Sequence, residues 1–142
     1  MRPKRIVLVE DDHIQAESFV DALTRNYRGV TIQIIATEQE FVSRLDDLVK
    51  KPPDLFIIDV MVRGTDPLPG GEYIPEEAKG SFFRAGIRCE NKLRKKKCKT
   101  PVILYTVLER QDLAEDLPSN PRTKLVTKNA DFSAFYSTIE SF

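Results

Sequence analysis

The stretch PPDLFIIDVMVRGTDPLPGG, residues 52–71, decides the fold. Two prolines and Asp54 precede four apolar residues, Leu55 to Ile58, which run directly into the carboxylate of Asp59. A nearly continuous apolar run of this length is typical of a strand buried on both faces, as strands of parallel sheets are. The residues behind it are rich in glycine, proline and charge, which predicts a loop. The stretch therefore predicts a central strand that ends on an acid, beside an oversized loop.

The rest of the chain alternates short apolar runs with longer amphipathic ones. Strands are predicted at 5–10, 30–36, 54–59, 101–106 and 124–128. Helices are predicted to begin after the capping residues Asp12, Thr37 and Asp131, to resume near Ser81, and to form a short charged element over 109–117. This βα order, repeated five times with buried strands, predicts an α/β fold, an open, doubly wound parallel sheet with helices on both faces. We expect the flavodoxin-like strand order, 2-1-3-4-5.

The length and charge of the chain limit its class. Its 142 residues suit one domain, which we assign to 1–142 with an inserted loop at 62–79. The 22 basic residues balance the 22 acidic ones, so no global field would attract nucleic acid or an anionic membrane. No apolar run approaches the roughly 20 residues of a membrane span. The N-terminal segment reaches the acidic residues Glu10, Asp11 and Asp12 too soon for a signal peptide. We therefore expect a cytoplasmic protein that binds neither nucleic acid nor membrane directly.

Three other features have plain structural interpretations. Cys89 and Cys98 have no neighbouring histidine or cysteine with which to bind a metal, so we interpret them as reduced thiols. The basic run RKKKCK, 94–99, has no interleaved aromatic residue and is interpreted as the solvated end of a helix. His13, the single histidine, is interpreted as a polar residue that opens a helix. The candidate chemistry therefore lies at the strand ends.

Polar residues stand at the carboxyl ends of four predicted strands. In an open parallel sheet, ligands bind beyond those ends, where the strand order reverses. In the expected order the first and third strands are neighbours, so their acids would face one another, with the fourth and fifth strands next along. The residues concerned are Glu10, Asp11 and Asp12 after the first strand, Asp59 at the end of the third, Thr106 at the end of the fourth and Lys128 at the end of the fifth.

These groups suit one kind of chemistry. Crowded carboxylates repel one another and raise each other's pKa values, and a divalent cation relieves that repulsion. Oxygen ligands without histidine or cysteine suit Mg²⁺, which also binds phosphate oxygens. A lysine and a hydroxyl would contact the remaining oxygens of a phosphoryl group. Carboxylate, metal, hydroxyl and ammonium together indicate phosphoryl transfer to an aspartate.

Four segments resemble the receiver domains of two-component response regulators, the CheY-like family. They are VLVEDDH (7–13), DLFIIDVMV (54–62), PVILYT (101–106) and LVTKNADF (125–132). The resemblance covers the chain apart from 62–79, where this sequence is longer. It implies the CheY-like doubly wound fold and the function of a signalling phosphoacceptor, which is not an enzyme acting on a separate substrate.

The resemblance also implies roles for individual residues. Asp59 would be the phosphoacceptor, and Thr106 and Lys128 would contact the phosphoryl group. The ligands of Mg²⁺, for which Mn²⁺ could substitute, would be Asp12 and Asp59 directly, Asp11 through water, and the main-chain carbonyl of Met61.

Partners follow from the same resemblance. The phosphoryl group would come from a phosphohistidine, carried by a histidine kinase or a histidine phosphotransfer protein. The output would pass to an unidentified protein target or to a domain outside this chain, and a homodimer is possible.

Three residues depart from the family pattern. Val107 stands where a small residue is usual and would narrow access to Asp59. Leu125 stands where a switch aromatic is common, and Tyr105 would lie on the wrong face of the sheet to replace it. These departures keep open an alternative function, that of a pseudo-receiver that binds partners without being phosphorylated. A phosphatase of the haloacid-dehalogenase kind is disfavoured, because it would need a second acid at the position of Met61.

Overall fold

The computed structural model describes residues 1–62, 64, 84–107, 118–128 and 131–142. The described strands are β1 (Arg5–Val9), β2 (Thr31–Ile35), β3 (Leu55–Asp59), β4 (Val102–Thr106) and β5 (Thr123–Thr127). The described helices are α1 (His13–Asn26), α2 (Glu38–Lys50), α3 (Ala85–Lys95) and α4 (Phe132–Glu140). The strand pairs are parallel, and the sheet order is β2-β1-β3-β4-β5. The predicted α/β class and strand order are therefore confirmed.

Some sequence predictions can be compared only with the described part of the chain. The short helix predicted at 109–117 lies outside it, as does the loop at 62–79 except for Val62 and Gly64. The helix predicted to resume near Ser81 is described from Ala85 onward. Among the described helices, none has both the length and the hydropathy needed to cross a bilayer.

Three helices begin where the sequence places capping side chains. Asp12, Thr37 and Asp131 each accept a hydrogen bond from a main-chain N–H in the first turn of α1, α2 or α4, at 2.8–3.1 Å. These bonds satisfy amide groups that a helix leaves without an internal partner. Beyond the other end of α1, Gly29 adopts a φ of 80°, a left-handed conformation in which the helix cannot continue.

The sheet buries an apolar layer on each face. Residues alternate between the faces along each strand, so Ile6 and Leu8 of β1 lie on one face and Val7 and Val9 on the other. Helices α1 and α4 cover the first face, and α2 and α3 cover the second, which confirms the prediction of helices on both faces. The first layer contains Phe19, Leu23, Tyr105, Phe135 and Ile139, and the second contains Phe41, Leu48, Ile87 and Leu93.

A buried ion pair joins α2 to α3 inside the second layer. The guanidinium of Arg88 donates to both carboxylate oxygens of Glu38, at 2.9 Å each. Glu38 is fully buried and Arg88 nearly so. Next to the pair, the N–H of Gln39 donates to the carbonyl of Gly64 at 2.9 Å. The start of α2 is thereby attached both to α3 and to the chain that leaves β3.

The basic run 94–99 contains one structural residue and an exposed remainder. Arg94 donates to the side chains of Glu90 and Thr123, at 2.9 and 2.7 Å. It also donates to the carbonyls of Cys98 and Thr100, at 3.0 and 2.8 Å, and so holds the turn between α3 and β4 against the start of β5. The lysines of the run are exposed, as expected of a solvated helix end; they are Lys95, Lys96, Lys97 and Lys99.

Candidate functional site

Three buried residues of adjacent strands form a row at the carboxyl edge of the sheet. Asp59, the last residue of β3, pairs with Tyr105 of β4. Glu10 follows directly on Val9, the partner of Ile58, and so stands on the other side of Asp59. The alternation along each strand turns all three side chains toward the face covered by α1 and α4. All three are at most 3 % exposed, so two carboxyl groups and a phenol share a site largely removed from water.

Three acids gather at this edge. Carboxylate oxygens of Glu10, Asp11 and Asp59 lie within 4.8 Å of one another. A set of oxygen ligands of this kind fits a divalent cation, and Mg²⁺ in particular, because Mg²⁺ binds carboxylates together with water. These three residues, called the acidic cluster below, are the structural counterpart of the acids predicted at the ends of the first and third strands.

Asp12 lies outside the acidic cluster. Its exposed carboxylate accepts hydrogen bonds from two N–H groups in the first turn of α1, at 2.8 and 3.1 Å. Glu10 stands in the cluster where the family resemblance implied Asp12. The reason is the alternation along β1, because Glu10 continues the series of Ile6 and Leu8, which face α1 and α4. The sequence already placed Glu10 at this strand end, and counting the alternation would have assigned its side chain to the cluster.

The ammonium of Lys128 lies among these groups. Its Nζ donates to Asp59 Oδ2 at 3.2 Å and lies 4.0 Å from Glu10 Oε1. It also lies 5.0 Å from the centre of the Tyr105 ring. The other oxygen of Asp59, Oδ1, accepts the main-chain N–H of Met61 at 2.9 Å. Both oxygens of the Asp59 carboxylate are thus held by a donor.

The ends of β4 and β5 place the remaining predicted residues. Thr106 is fully buried, and its carbonyl accepts the N–H of Lys128 at 2.7 Å, which ties the two strand ends together. Val107, the next residue, is 56 % exposed. Leu125 packs against the layer under α2 and α3, whereas Tyr105 packs under α1 and α4. Leu125 and Tyr105 therefore lie on opposite faces of the sheet.

Burial and mutual repulsion shift the protonation of the site. The pKa of Glu10 rises to about 8, first because the carboxyl is buried and then because Asp59 lies beside it. The hydrogen bond from Tyr105 lowers this pKa and so acts in the opposite direction. Burial and the same two acids raise the pKa of Tyr105, so its hydroxyl stays protonated and donates to Glu10 Oε1 at 2.8 Å. A cation bound in the cluster would offset the repulsion between the acids.

The start of α3 packs directly on the main chain at the end of β3. The N–H of Gly86 donates to the carbonyl of Val60 at 2.9 Å. A Cβ at position 86 would lie 2.2 Å from the main-chain oxygen of Asp59 and 2.7 Å from the Cα of Val60, so glycine is required there. This contact fixes the main chain around Asp59. Sequence reasoning missed it, because the requirement comes from tertiary packing and leaves no local pattern.

Comparison with known proteins gives one consistent result. No protein-family model matches the sequence, and no curated protein matches it. Among solved structures, the chain is similar to a DNA-binding response regulator of the LuxR family from Staphylococcus aureus, with 16 % identity, a TM-score of 0.68 and 97 % of each chain covered. It is also similar to a response regulator receiver protein from Sinorhizobium medicae, with 14 % identity, a TM-score of 0.67, and 96 % of this chain and 91 % of that chain covered.

A third similar structure is a two-component response regulator from Clostridium difficile, with 15 % identity, a TM-score of 0.66, and 97 % of this chain and 93 % of that chain covered. At this level of identity the likeness shows the fold. The chain therefore has the flavodoxin-like fold of response regulator receiver domains. Its acidic cluster and Lys128 occupy the edge of the sheet at which such folds bind ligands.

Proposed function

We propose that this chain is a phosphorylatable receiver domain, in which Asp59 accepts a phosphoryl group from a phosphohistidine in a Mg²⁺-dependent reaction. The position of Asp59 carries the proposal. The residue is 3 % exposed at a strand end, belongs to the acidic cluster, and accepts a hydrogen bond from Lys128. A solvated acid in a loop would need neither the acidic cluster nor Lys128 beside it. An aspartyl phosphate, in contrast, is stabilised by positive charge from a bound cation on one side and from a lysine on the other.

The proposed step exchanges one bond to phosphorus for another. A carboxylate oxygen of Asp59 attacks the phosphorus, and the new P–O bond forms as the P–N bond of the phosphohistidine breaks. The electron pair of that bond returns to the imidazole, which takes up a proton and leaves as neutral histidine. Lys128 neutralises charge on the phosphoryl oxygens, and the hydroxyl of Thr106 contacts one of them.

The acidic cluster would hold the metal ion that this reaction uses. When bound, Mg²⁺ or Mn²⁺ would neutralise charge on the phosphoryl oxygens. The proposed ligands are Asp11, Asp59 and the main-chain carbonyl of Met61. Glu10 would contribute through a water molecule, with one of its oxygens held by Tyr105 and the other by the N–H of Asp11. Asp12 is less suited, because its carboxylate caps α1.

The proposed donor is a histidine kinase or histidine phosphotransfer protein, which would meet this chain in the cytoplasm, and the proposed output is altered binding of a protein target. Two exposed apolar side chains near the carboxyl edge support a protein donor. Ile14, in the first turn of α1, is 78 % exposed, and Val107, directly after β4, is 56 % exposed. Exposed apolar side chains near the buried Asp59 would form a contact surface for a donor protein, which must bind there to transfer its phosphoryl group.

Intact-mass spectrometry after incubation with acetyl phosphate and Mg²⁺ tests the proposal. The wild type should gain the mass of one phosphoryl group, whereas Asp59→Asn, or the wild type with EDTA, should not. Asp54→Asn is the matched control, because Asp54 lies at the opposite edge of the sheet, where it accepts the N–H groups of Lys4 and Arg5. That control should gain the phosphoryl group as the wild type does. A wild type that binds Mg²⁺ but never gains mass would contradict the proposal.

The alternative is a pseudo-receiver that is not phosphorylated, and Val107 is the residue that favours it. Its side chain follows Thr106 directly and would narrow the access of a phosphoryl group to the Asp59 carboxylate, whatever contact it makes with the surface of a protein donor. Val107→Ala separates occlusion from lost chemistry in the same mass experiment. A phosphoryl gain in this variant alone would mean that the chemistry is intact but obstructed, whereas no gain in either protein would favour the pseudo-receiver.

A further inference from the structure

Tyr105 lies at the centre of the candidate site, although the family resemblance gives it no role there. It is fully buried and pairs with Asp59 across β3 and β4. Its main-chain carbonyl accepts the N–H of Val60, the residue that follows Asp59, at 3.0 Å. The backbone of Tyr105 thus borders the acceptor, while its side chain reaches both Glu10 and Lys128.

The hydroxyl of Tyr105 fixes one oxygen of Glu10. It donates to Oε1 at 2.8 Å, and both side chains are buried. The other oxygen, Oε2, accepts the N–H groups of Asp11 and Asp12, at 2.9 and 3.3 Å. Donors on both oxygens hold the carboxylate in one orientation. Removing the phenol would leave a buried oxygen of Glu10 without this hydrogen bond, which is costly for a buried acceptor.

The ring of Tyr105 supports the ammonium of Lys128. The Nζ atom lies 5.0 Å from the ring centre, within the distance at which a cation is attracted to an aromatic face. The ring is itself held by Phe19 and Phe135, whose ring centres lie 4.9 and 5.9 Å away. Lys128 in turn donates to Asp59 at 3.2 Å. The position of the Lys128 ammonium therefore depends on the Tyr105 ring, which packs against Phe19 of α1 and Phe135 of α4.

We infer that Tyr105 is a positioning residue that orders both sides of the site, with its hydroxyl orienting Glu10 in the acidic cluster and its ring seating Lys128 beside Asp59. The inference rests on the proposed function and deepens it. One side chain couples the metal-binding side of the site to the phosphoryl-binding side. Metal affinity and phosphorylation rate then depend on different parts of the same residue.

Two variants of Tyr105 and one control separate the contribution of the hydroxyl from that of the ring. Tyr105→Phe removes the hydroxyl alone, and Tyr105→Leu removes hydroxyl and ring together. Tyr136→Phe is the matched control, because the Tyr136 hydroxyl donates to the carbonyl of Ala22 at 3.0 Å in the same aromatic layer. For each protein, calorimetry gives the dissociation constant of Mg²⁺, and intact-mass spectrometry gives the rate of phosphoryl gain from acetyl phosphate at saturating Mg²⁺. The midpoint of thermal unfolding of each variant shows whether the substitution lowers the stability of the whole domain.

The expected losses differ between the variants. Tyr105→Phe should weaken Mg²⁺ binding about tenfold, as the loss of one hydrogen bond to a charged group would, with a smaller loss of rate. Tyr105→Leu should lose a similar factor in affinity and, in addition, about tenfold in rate, because Lys128 loses its support. Tyr136→Phe should match the wild type in affinity and rate, even where its thermal midpoint falls as far as that of Tyr105→Phe.

Several results would overturn the inference. Wild-type Mg²⁺ affinity in Tyr105→Phe, or an equal loss in Tyr136→Phe, would remove the role of the hydroxyl. Equal rates in Tyr105→Phe and Tyr105→Leu would remove the role of the ring. A wild type that binds Mg²⁺ but accepts no phosphoryl group would refute the proposed function alone, and the Mg²⁺ affinities would still decide the role of the hydroxyl. A wild type that binds no Mg²⁺ would overturn both.

Discussion

At the scale of single residues, two adjacent acids have different tasks. Asp11 belongs to the acidic cluster, whereas Asp12 caps α1. Asp12→Ala should therefore lower the free energy of unfolding by about 1 kcal/mol, the usual cost of a lost helix cap, and leave the Mg²⁺ affinity within about twofold of wild type. Denaturant unfolding and a Mg²⁺ titration on the same preparation measure the two effects.

Asp11→Asn should show the opposite pattern. It removes a carboxylate from the cluster, so the Mg²⁺ affinity should fall by about tenfold or more, and tenfold corresponds to about 1.4 kcal/mol of binding free energy. The cap of α1 is untouched. If Asp12→Ala were instead the variant that loses the metal, the ligand set implied by the family resemblance would be right, with Asp12 and not Glu10 joining Asp11 and Asp59 at the metal.

The buried thiols give another prediction at this scale. Cys89 of α3 is completely buried in the apolar layer between the sheet and helices α2 and α3. Burial raises its pKa, and Glu38 raises it further. Because the thiolate is the reactive form, Cys89 should resist a thiol reagent at neutral pH until the protein unfolds. Cys98→Ser leaves Cys89 as the one thiol in the sequence, so counting labels by mass with and without denaturant gives a direct answer. Rapid labelling without denaturant would show that α3 opens locally.

At the scale of secondary-structure elements, Gly86 sets how closely α3 approaches β3. Gly86→Ala places a Cβ 2.2 Å from the main-chain oxygen of Asp59, so α3 must move. We expect a loss of about 1–3 kcal/mol of stability, as for other overpacked sites, together with slower phosphorylation. Gly29→Ala is the control, because its φ of 80° makes alanine strained there without any neighbour within 4 Å. Equal phosphorylation rates in the two variants would show that the contact does not position Asp59.

The ion pair between α2 and α3 allows a double-mutant test. Arg88→Met should cost about 3–5 kcal/mol, because it removes the partner of the fully buried Glu38 carboxylate. Glu38→Met/Arg88→Met should cost much less than the sum of the single variants, because no buried charge then lacks its partner. Denaturant unfolding of the four proteins gives the coupling energy. Additive losses would mean that the pair contributes no coupling between the helices.

At the scale of the whole molecule, the proposed metal binding would be linked to stability. The acidic cluster joins residues that follow β1 and end β3, so it exists only when the two strands are paired. Mg²⁺ at a hundred times its dissociation constant should therefore add about 2.7 kcal/mol to the free energy of unfolding. Asp11→Asn should lose most of that gain in thermal melts over a range of Mg²⁺ concentrations. The same gain in the variant would indicate a nonspecific salt effect.

The sequence predicts the architecture better than the details of the site. Apolar runs and helix caps predicted the strands and helices, because burial on both faces and capping are local patterns. The strand order was expected from the flavodoxin-like arrangement that such a βα chain favours, and the sheet has it. The placement of Lys128 against Asp59 also follows, since both stand at strand ends. The sequence placed Glu10 among the acids after the first strand, but the ligand set implied by the family resemblance left it out, although the alternation along β1 carries that signal. The contacts of Gly86 and Tyr105 had no such signal, because each depends on which elements meet in three dimensions.

The hydrogen bond between Tyr105 and Glu10 also has an optical consequence. The chain has four tyrosines and no tryptophan, so its ultraviolet emission comes from tyrosine. A phenol that donates to a carboxylate loses much of its fluorescence, because proton transfer in the excited state competes with emission. Any event that moves Glu10 away from Tyr105 should therefore increase the tyrosine fluorescence of the protein. The fluorescence of Tyr105 is thus an intrinsic indicator of the state of the acidic cluster.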